Sequence, residues 1–97
     1  MKQSEMPRIK KGSILEVNVF ENIGTKDERE SPKNNYTVIG YYQGLRTEDS
    51  MYSNSKDKGI YLTSNLSRDG GNNIFIGFED HKEPFLIAKS IKIIRGA

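Results

Sequence analysis

Few residues in this chain have side chains that could do chemistry. The lone histidine, His81, stands between Asp80 and Lys82 in a stretch that reads as a turn, where a solvated imidazole is the expectation. No second histidine and no cysteine exist to complete a zinc site, so a metal centre would need carboxylates alone. Carboxylates gather at Asp27, Glu28 and Glu30 and again at Glu48 and Asp49. Neither group follows the Asp-x-Asp-x-Asp-Gly spacing of a calcium loop, and both read as solvated charge. Gly70-Gly71 has no basic residue following at P-loop spacing, and no nucleophile elbow or dinucleotide fingerprint is present. General acid–base catalysis needs perturbed carboxylates in a cleft, and no pattern points to such a pair. The expectation is a protein without catalysis, metal or cofactor, one that works by binding.

Two features suit binding. The first is charge placement. Residues 1–12 hold Lys2, Arg8, Lys10 and Lys11 against Glu5, a net +3. Residues 84–97 hold Lys89, Lys92 and Arg95 and no acid, another +3, which leaves −4 between them. If the first and last strands are neighbours, Arg8, Lys10, Lys11, Lys89, Lys92 and Arg95 form a basic surface able to attract phosphates. The plain alternative is that they keep the protein soluble and guard an edge strand. The second feature is a set of aromatics. Alternation puts Tyr41, Tyr61 and Phe75 on the face opposite the core residues, with Phe20 as a further member. Such rings anchor protein interfaces and stack on single-stranded nucleic acid. Burial beneath the long loops is the competing expectation.

The chain that must position these groups has 97 residues, one domain's worth. It is 34% hydrophobic and 29% charged, with mean hydropathy −0.71, net charge +2 and pI 8.9. Burial and ordering entropy nearly cancel at this size, so a compact strand-built core or help from self-association is expected. Without cysteine there is no disulfide framework, which suits the cytoplasm. Met1-Lys2-Gln3-Ser4-Glu5-Met6-Pro7 has no apolar signal-peptide core, and no run approaches the roughly 18 apolar residues of a spanning helix. Asn35-Tyr36-Thr37 and Asn65-Leu66-Ser67 match the glycosylation pattern by chance on this reading.

Residues 1–8 read as a flexible arm and 9–97 as one domain. Leu15, Val17 and Val19 alternate with Glu16 and Asn18, a half-buried strand over 14–20. Residues 21–35 hold seven charged residues and one apolar residue, Ile23. They read as a solvated loop, in which Thr25-Lys26-Asp27-Glu28 has capping-box spacing for one helical turn. Strands follow over 36–43, with a bend at Gly40, over 59–64 and over 73–78. A long polar segment covers 44–58, and Asp69-Gly70-Gly71-Asn72 signals a turn. Residues 84–95 are the densest apolar run. Ile87, Ile91 and Ile94 stand at helical spacing, but Pro84 and the β-branched content favour a strand, an irregular step near Ala88-Lys89-Ser90, and a closing strand. Phe85, Ile87, Ile91 and Ile93 are its expected core residues.

Five or six short strands without a long helix make an all-β domain, and closure into a small, mostly antiparallel barrel removes exposed edges. The entry Lys10-x-Gly12-x-x-x-x-Val17, two long early loops and a short turn before the last strand resemble SH3-like barrels in general architecture. That resemblance implies binding of proline-rich peptides, RNA, DNA or other proteins without choosing among them. The expected function is therefore a small non-catalytic adaptor, inhibitor or accessory protein that engages a protein partner and no membrane. A nucleic-acid-binding barrel is the alternative, and a small enzyme or small-ligand receptor the distant third.

Overall fold

The computed structural model describes residues 1–49, 56–64, 72–80 and 84–97. The turn expected at Asp69-Gly70-Gly71 and the lone His81 lie outside the described residues. Strands β1 (Ile14–Glu21), β2 (Asn35–Asp49), β3 (Lys56–Ser64), β4 (Asn72–Gly77) and β5 (Leu86–Arg95) follow in chain order. Each pairs with the next and β1 also pairs with β5, so the sheet closes into the expected small all-β barrel. All pairings are antiparallel except β4 with β5, which is parallel and consists of Gly77 opposite Ile87.

Period-two patterning builds the interior. Leu15, Val17 and Val19 from β1, Ile60 and Leu62 from β3, Ile76 and Phe78 from the end of β4, and Ala88 from β5 are fully buried. Each large one contributes about 1.5–3 kcal/mol relative to an exposed position. Val38 and Tyr42 of β2 join them. Residues 1–8, read from sequence as a flexible arm, lie with Ile9 against the barrel. They form a 3₁₀ turn at Gln3–Glu5, and Met1, Met6 and Ile9 pack on the core. The Met1 nitrogen donates to the Ala88 carbonyl, and the Glu79 amide donates to the Met1 carbonyl.

The structure corrects the sequence reading at three further places. The polar segment 44–58 is largely strand: β2 runs on to Asp49, and β3 begins at Lys56. Backbone pairing of Thr47 with Lys58, Glu48 with Asp57 and Asp49 with Lys56 carries this arm, whose polar side chains give no alternation to read. The interruption in β2 lies at Gly44 rather than Gly40. Gln43 and Gly44 together oppose Tyr61, a β-bulge, and Gly44 has φ 105°, a conformation that favours glycine. The 21–35 segment contains α1 (Lys26–Glu30), capped by Thr25, whose hydroxyl accepts from the Glu28 amide at 3.3 Å as the spacing predicts. Asn34 donates to the Glu28 carbonyl, and Asn35 donates to those of Arg29 and Ser31, so side chains satisfy the helix end.

The third correction concerns the closing stretch. It is one strand, and its irregular step is a bulge. Asn18 pairs with Ser90 and Val19 with Ala88, leaving Lys89 as the extra residue, and Ile94 is extra in the same way further on. Of the expected core residues, Ile87 is buried and Ile91 packs against the core, but Phe85 and Ile93 are exposed. Pro84 is buried beside Gly77 and turns Phe85 outward. Ile93 shares the inner phase of Leu15, but it lies beyond the one pair that β4 makes with β5.

Closure tolerates no side chain at Gly77, because a Cβ there would land on the Pro84 ring. Gly77→Ala should therefore cost about 1–3 kcal/mol by overpacking. Gly96→Ala, where nothing lies within 4 Å of the added carbon, should stay within about 0.5 kcal/mol of the parent. Urea unfolding of both variants measures the contrast.

Candidate functional site

The expected aromatic set divides between two places. Tyr61 on β3 and Phe75 on β4 are direct cross-strand partners, and both are half-buried on the outer face. Tyr41, 38% exposed, faces Thr63 on the same side, one alternation along from Tyr61. Thr63 in turn donates to Asn73 Oδ1 at 2.9 Å and closes the row. The fourth member, Phe20, lies elsewhere. It sits opposite Asn35 and Ile87 at the far end of β1 from the Ile14–Tyr41 pair.

A residue missed in the sequence completes the first group. The Arg46 guanidinium lies 4.0 Å from the centre of the Tyr61 ring. Uninterrupted alternation from Tyr41 would turn Arg46 inward. The bulge at Gln43 and Gly44 inserts one position and returns Arg46 to the outer face opposite Gly59. Sequence alone offers the glycine as the only signal of that shift. Beyond Phe75 a groove of about 200 Å³ is lined by Pro84, Phe85 and Leu86 on one side and by Glu48, Asp49 and Asp57 on the other.

Phe20 belongs to a groove of about 370 Å³ between α1 and the barrel. Lys26, Arg29 and Glu30 enter it from α1, Asn35 from β2, and Lys89 from the β5 bulge. Lys89 Nζ donates to Asn35 Oδ1 at 2.8 Å, and Arg29 Nη1 donates to the Gly24 carbonyl at 2.9 Å. An aromatic ring thus shares one depression with three cations and a single carboxylate. The sequence marked Phe20 and Lys89 separately. Lys26 and Arg29 escaped notice because they lay in an apparently featureless charged loop.

The basic ends do become neighbours, since β1 and β5 pair along their length. The six residues nevertheless spread out. Lys89 is at the α1 end. Lys92 stands opposite Glu16, and Arg95 opposite Ile14. Six residues of strand separate Lys89 from Arg95, a span of about 20 Å. Arg95 lines a depression with Gly12, Tyr41 and Ala97, the Lys11 side chain passes Gly44, and Arg8 and Lys10 are exposed on the way into β1. Between these ends, beside Lys92 and Glu16, the outer face carries uncharged polar contacts: Thr37 donates to Asn18 Oδ1 at 2.7 Å, and Asn18 donates to Ser90 Oγ at 2.9 Å.

Two tyrosines titrate high. Tyr36 is pushed up to about 12 by partial burial first, then by donating to Glu21 Oε2 at 3.1 Å and by that carboxylate's charge. Burial raises Tyr42 as well. Among the described residues no three His, Cys, Asp or Glu side chains are placed to hold a metal ion, and no helix is long and apolar enough to cross a membrane. No protein-family model matches the chain, and no curated protein or solved structure is similar enough to register as a match.

The setting of Tyr36, its partial burial first and its contact with Glu21 second, has a pH signature. A tyrosine pKa raised above its usual value of about 10 marks an interaction that stabilises the fold below that pH. That contribution is lost as pH rises through about 12. Titration of phenolate absorbance should show a late step near that value, and Tyr36→Phe should remove it.

Proposed function

We propose that this protein is a non-catalytic binding module, an adaptor, inhibitor or accessory protein, that engages a protein partner through the outward face of β2, β3 and β4. One observation carries the reading: Arg46 lies over Tyr61, which is paired with Phe75 and flanked by Tyr41. Arginine and aromatic rings are the residues that most often anchor interfaces, through large rigid contact area and planar hydrogen bonding. A partner that covers the stack removes water from it and strengthens the attraction between guanidinium and ring. The faces are shallow and sheet-borne, which suits a macromolecular surface better than an enclosed small ligand. A cysteine-free chain suits the cytoplasm, and action there is part of this reading.

The test is a pull-down from lysate of the native cells, with and without nuclease. A protein retained after nuclease treatment, and lost with Tyr61→Ala or Phe75→Ala while circular dichroism stays unchanged, supports the reading. Unfolding of both variants would make the rings core, and retention of the partner by both variants would move the interface elsewhere.

Binding of single-stranded nucleic acid is the second reading, and the groove holding Phe20, Lys26, Arg29 and Lys89 favours it. A base stacked on Phe20 would leave its flanking phosphates within reach of those cations. Affinity for a fluorescent oligothymidylate should then fall steeply with salt, and Lys26→Glu with Lys89→Glu should abolish it. Affinity that is flat from low to high salt removes this reading.

A further inference from the structure

The strand that closes the barrel is paired unequally on its two sides. β5 pairs with β1 from Leu86 to Arg95, but with β4 only at Ile87. Met1 reaches the Ala88 carbonyl. Beyond that point, among the described residues, the β5 backbone forms hydrogen bonds only with β1 until Ala97 meets the Ser13 hydroxyl. A row of unpaired amides and carbonyls in extended backbone is a template for another strand.

Proteins usually blunt such an edge with charge, proline or a covering element. Here Met1 covers the edge at Ala88, and beyond it the edge carries both cations and apolar side chains. Ile93 is 39% exposed and the bulged Ile94 is 50% exposed. The charges that are present have one sign: Lys89, Lys92 and Arg95 are all exposed, and no acid occurs from residue 84 to the end of the sequence. A second copy laid antiparallel on this edge would set cations against cations, which is destabilising. An extended segment with carboxylates in the same places would meet the cations and cover the isoleucines.

We propose that the free edge of β5, residues 89–95, is a strand-addition site for an extended, acidic segment of a protein partner. Main-chain hydrogen bonds to β5 supply the attachment, and Lys92 and Arg95 with Ile93 and Ile94 select alternating carboxylate and apolar side chains. The inference goes beyond the aromatic face and uses a different surface, so either can fail alone.

The test selects a phage-displayed library of random ten-residue peptides on the full chain. Sequences enriched in Asp or Glu at every second position are expected. The best peptide, followed by fluorescence anisotropy, should lose about tenfold or more in affinity for Lys92→Glu/Arg95→Glu and for Ile94→Asp. It should keep its affinity for Phe75→Ala. N-methylation of alternate peptide amides should abolish binding in one phase and spare it in the other, and the amides of residues 90–95 should gain protection from hydrogen exchange. Failure to select any peptide, selection without acid enrichment, or insensitivity to the β5 variants overturns the proposal. Protection confined to the Tyr61–Phe75 face, or a dimer formed through β5 itself, overturns it equally.

Discussion

The ring of strands is completed by a single contact. Among the described residues Gly77 and Ile87 are the only parallel pair, and the other strand pairings are an antiparallel meander that this pair closes. Three small or rigid residues make the contact fit. Gly77 lies directly across from Gly59, and Pro84 occupies the space that a side chain at 77 would need. Proline fixes the chain direction as it passes over β4, and the Asn22 side chain and amide hold the carbonyls of Pro84 and Phe85. Phe78, the largest fully buried side chain, follows immediately. The seam and the centre of the core are thus adjacent in the chain.

The outer surface depends on three bulges. The one at Gly44 turns Arg46 outward onto Tyr61. The one at Lys89 lifts that lysine towards Asn35 and α1, while Ala88 stays inside opposite Val19. The one at Ile94 leaves an isoleucine half in water. Each adds a residue to one strand only, and each lies beside one of the proposed binding surfaces. The interior keeps strict alternation on β1, which has no extra residue of its own and serves as the ruler against which β2 and β5 are laid.

These facts separate what could be read from the sequence and what could not. Leu15, Val17 and Val19, Ile60 with Leu62, and Ile76 with Phe78 announced their faces by period two, and with them the strands and the class of fold. The outward phases of Tyr41, Tyr61 and Phe75 followed from the same rule. The arm formed by residues 45–49 and 56–58 was invisible, because its pairing is carried by backbone hydrogen bonds among side chains of no consistent polarity. Phe85 and Ile93 misled for a different reason. Hydrophobicity reports what prefers burial, whereas Phe85 is turned outward after the buried Pro84 and Ile93 lies beyond the pair that β4 makes with β5. The Phe20 groove needed a long-range meeting of α1 with β5, which no local spacing encodes.

The Gly44 insertion has a consequence for how this protein can change. It works like a shift of reading frame in side-chain direction: β2 before the bulge obeys one frame and residues 45–49 with 56–60 another. Residues lengthened or shortened in matched pairs beyond Leu45 leave the inward frame of Val38, Gly40 and Tyr42 untouched. The exposed positions of this segment, Thr47, Glu48 and Asp49, can therefore vary while the inward frame of the barrel stays constant, which gives a small scaffold an adjustable part.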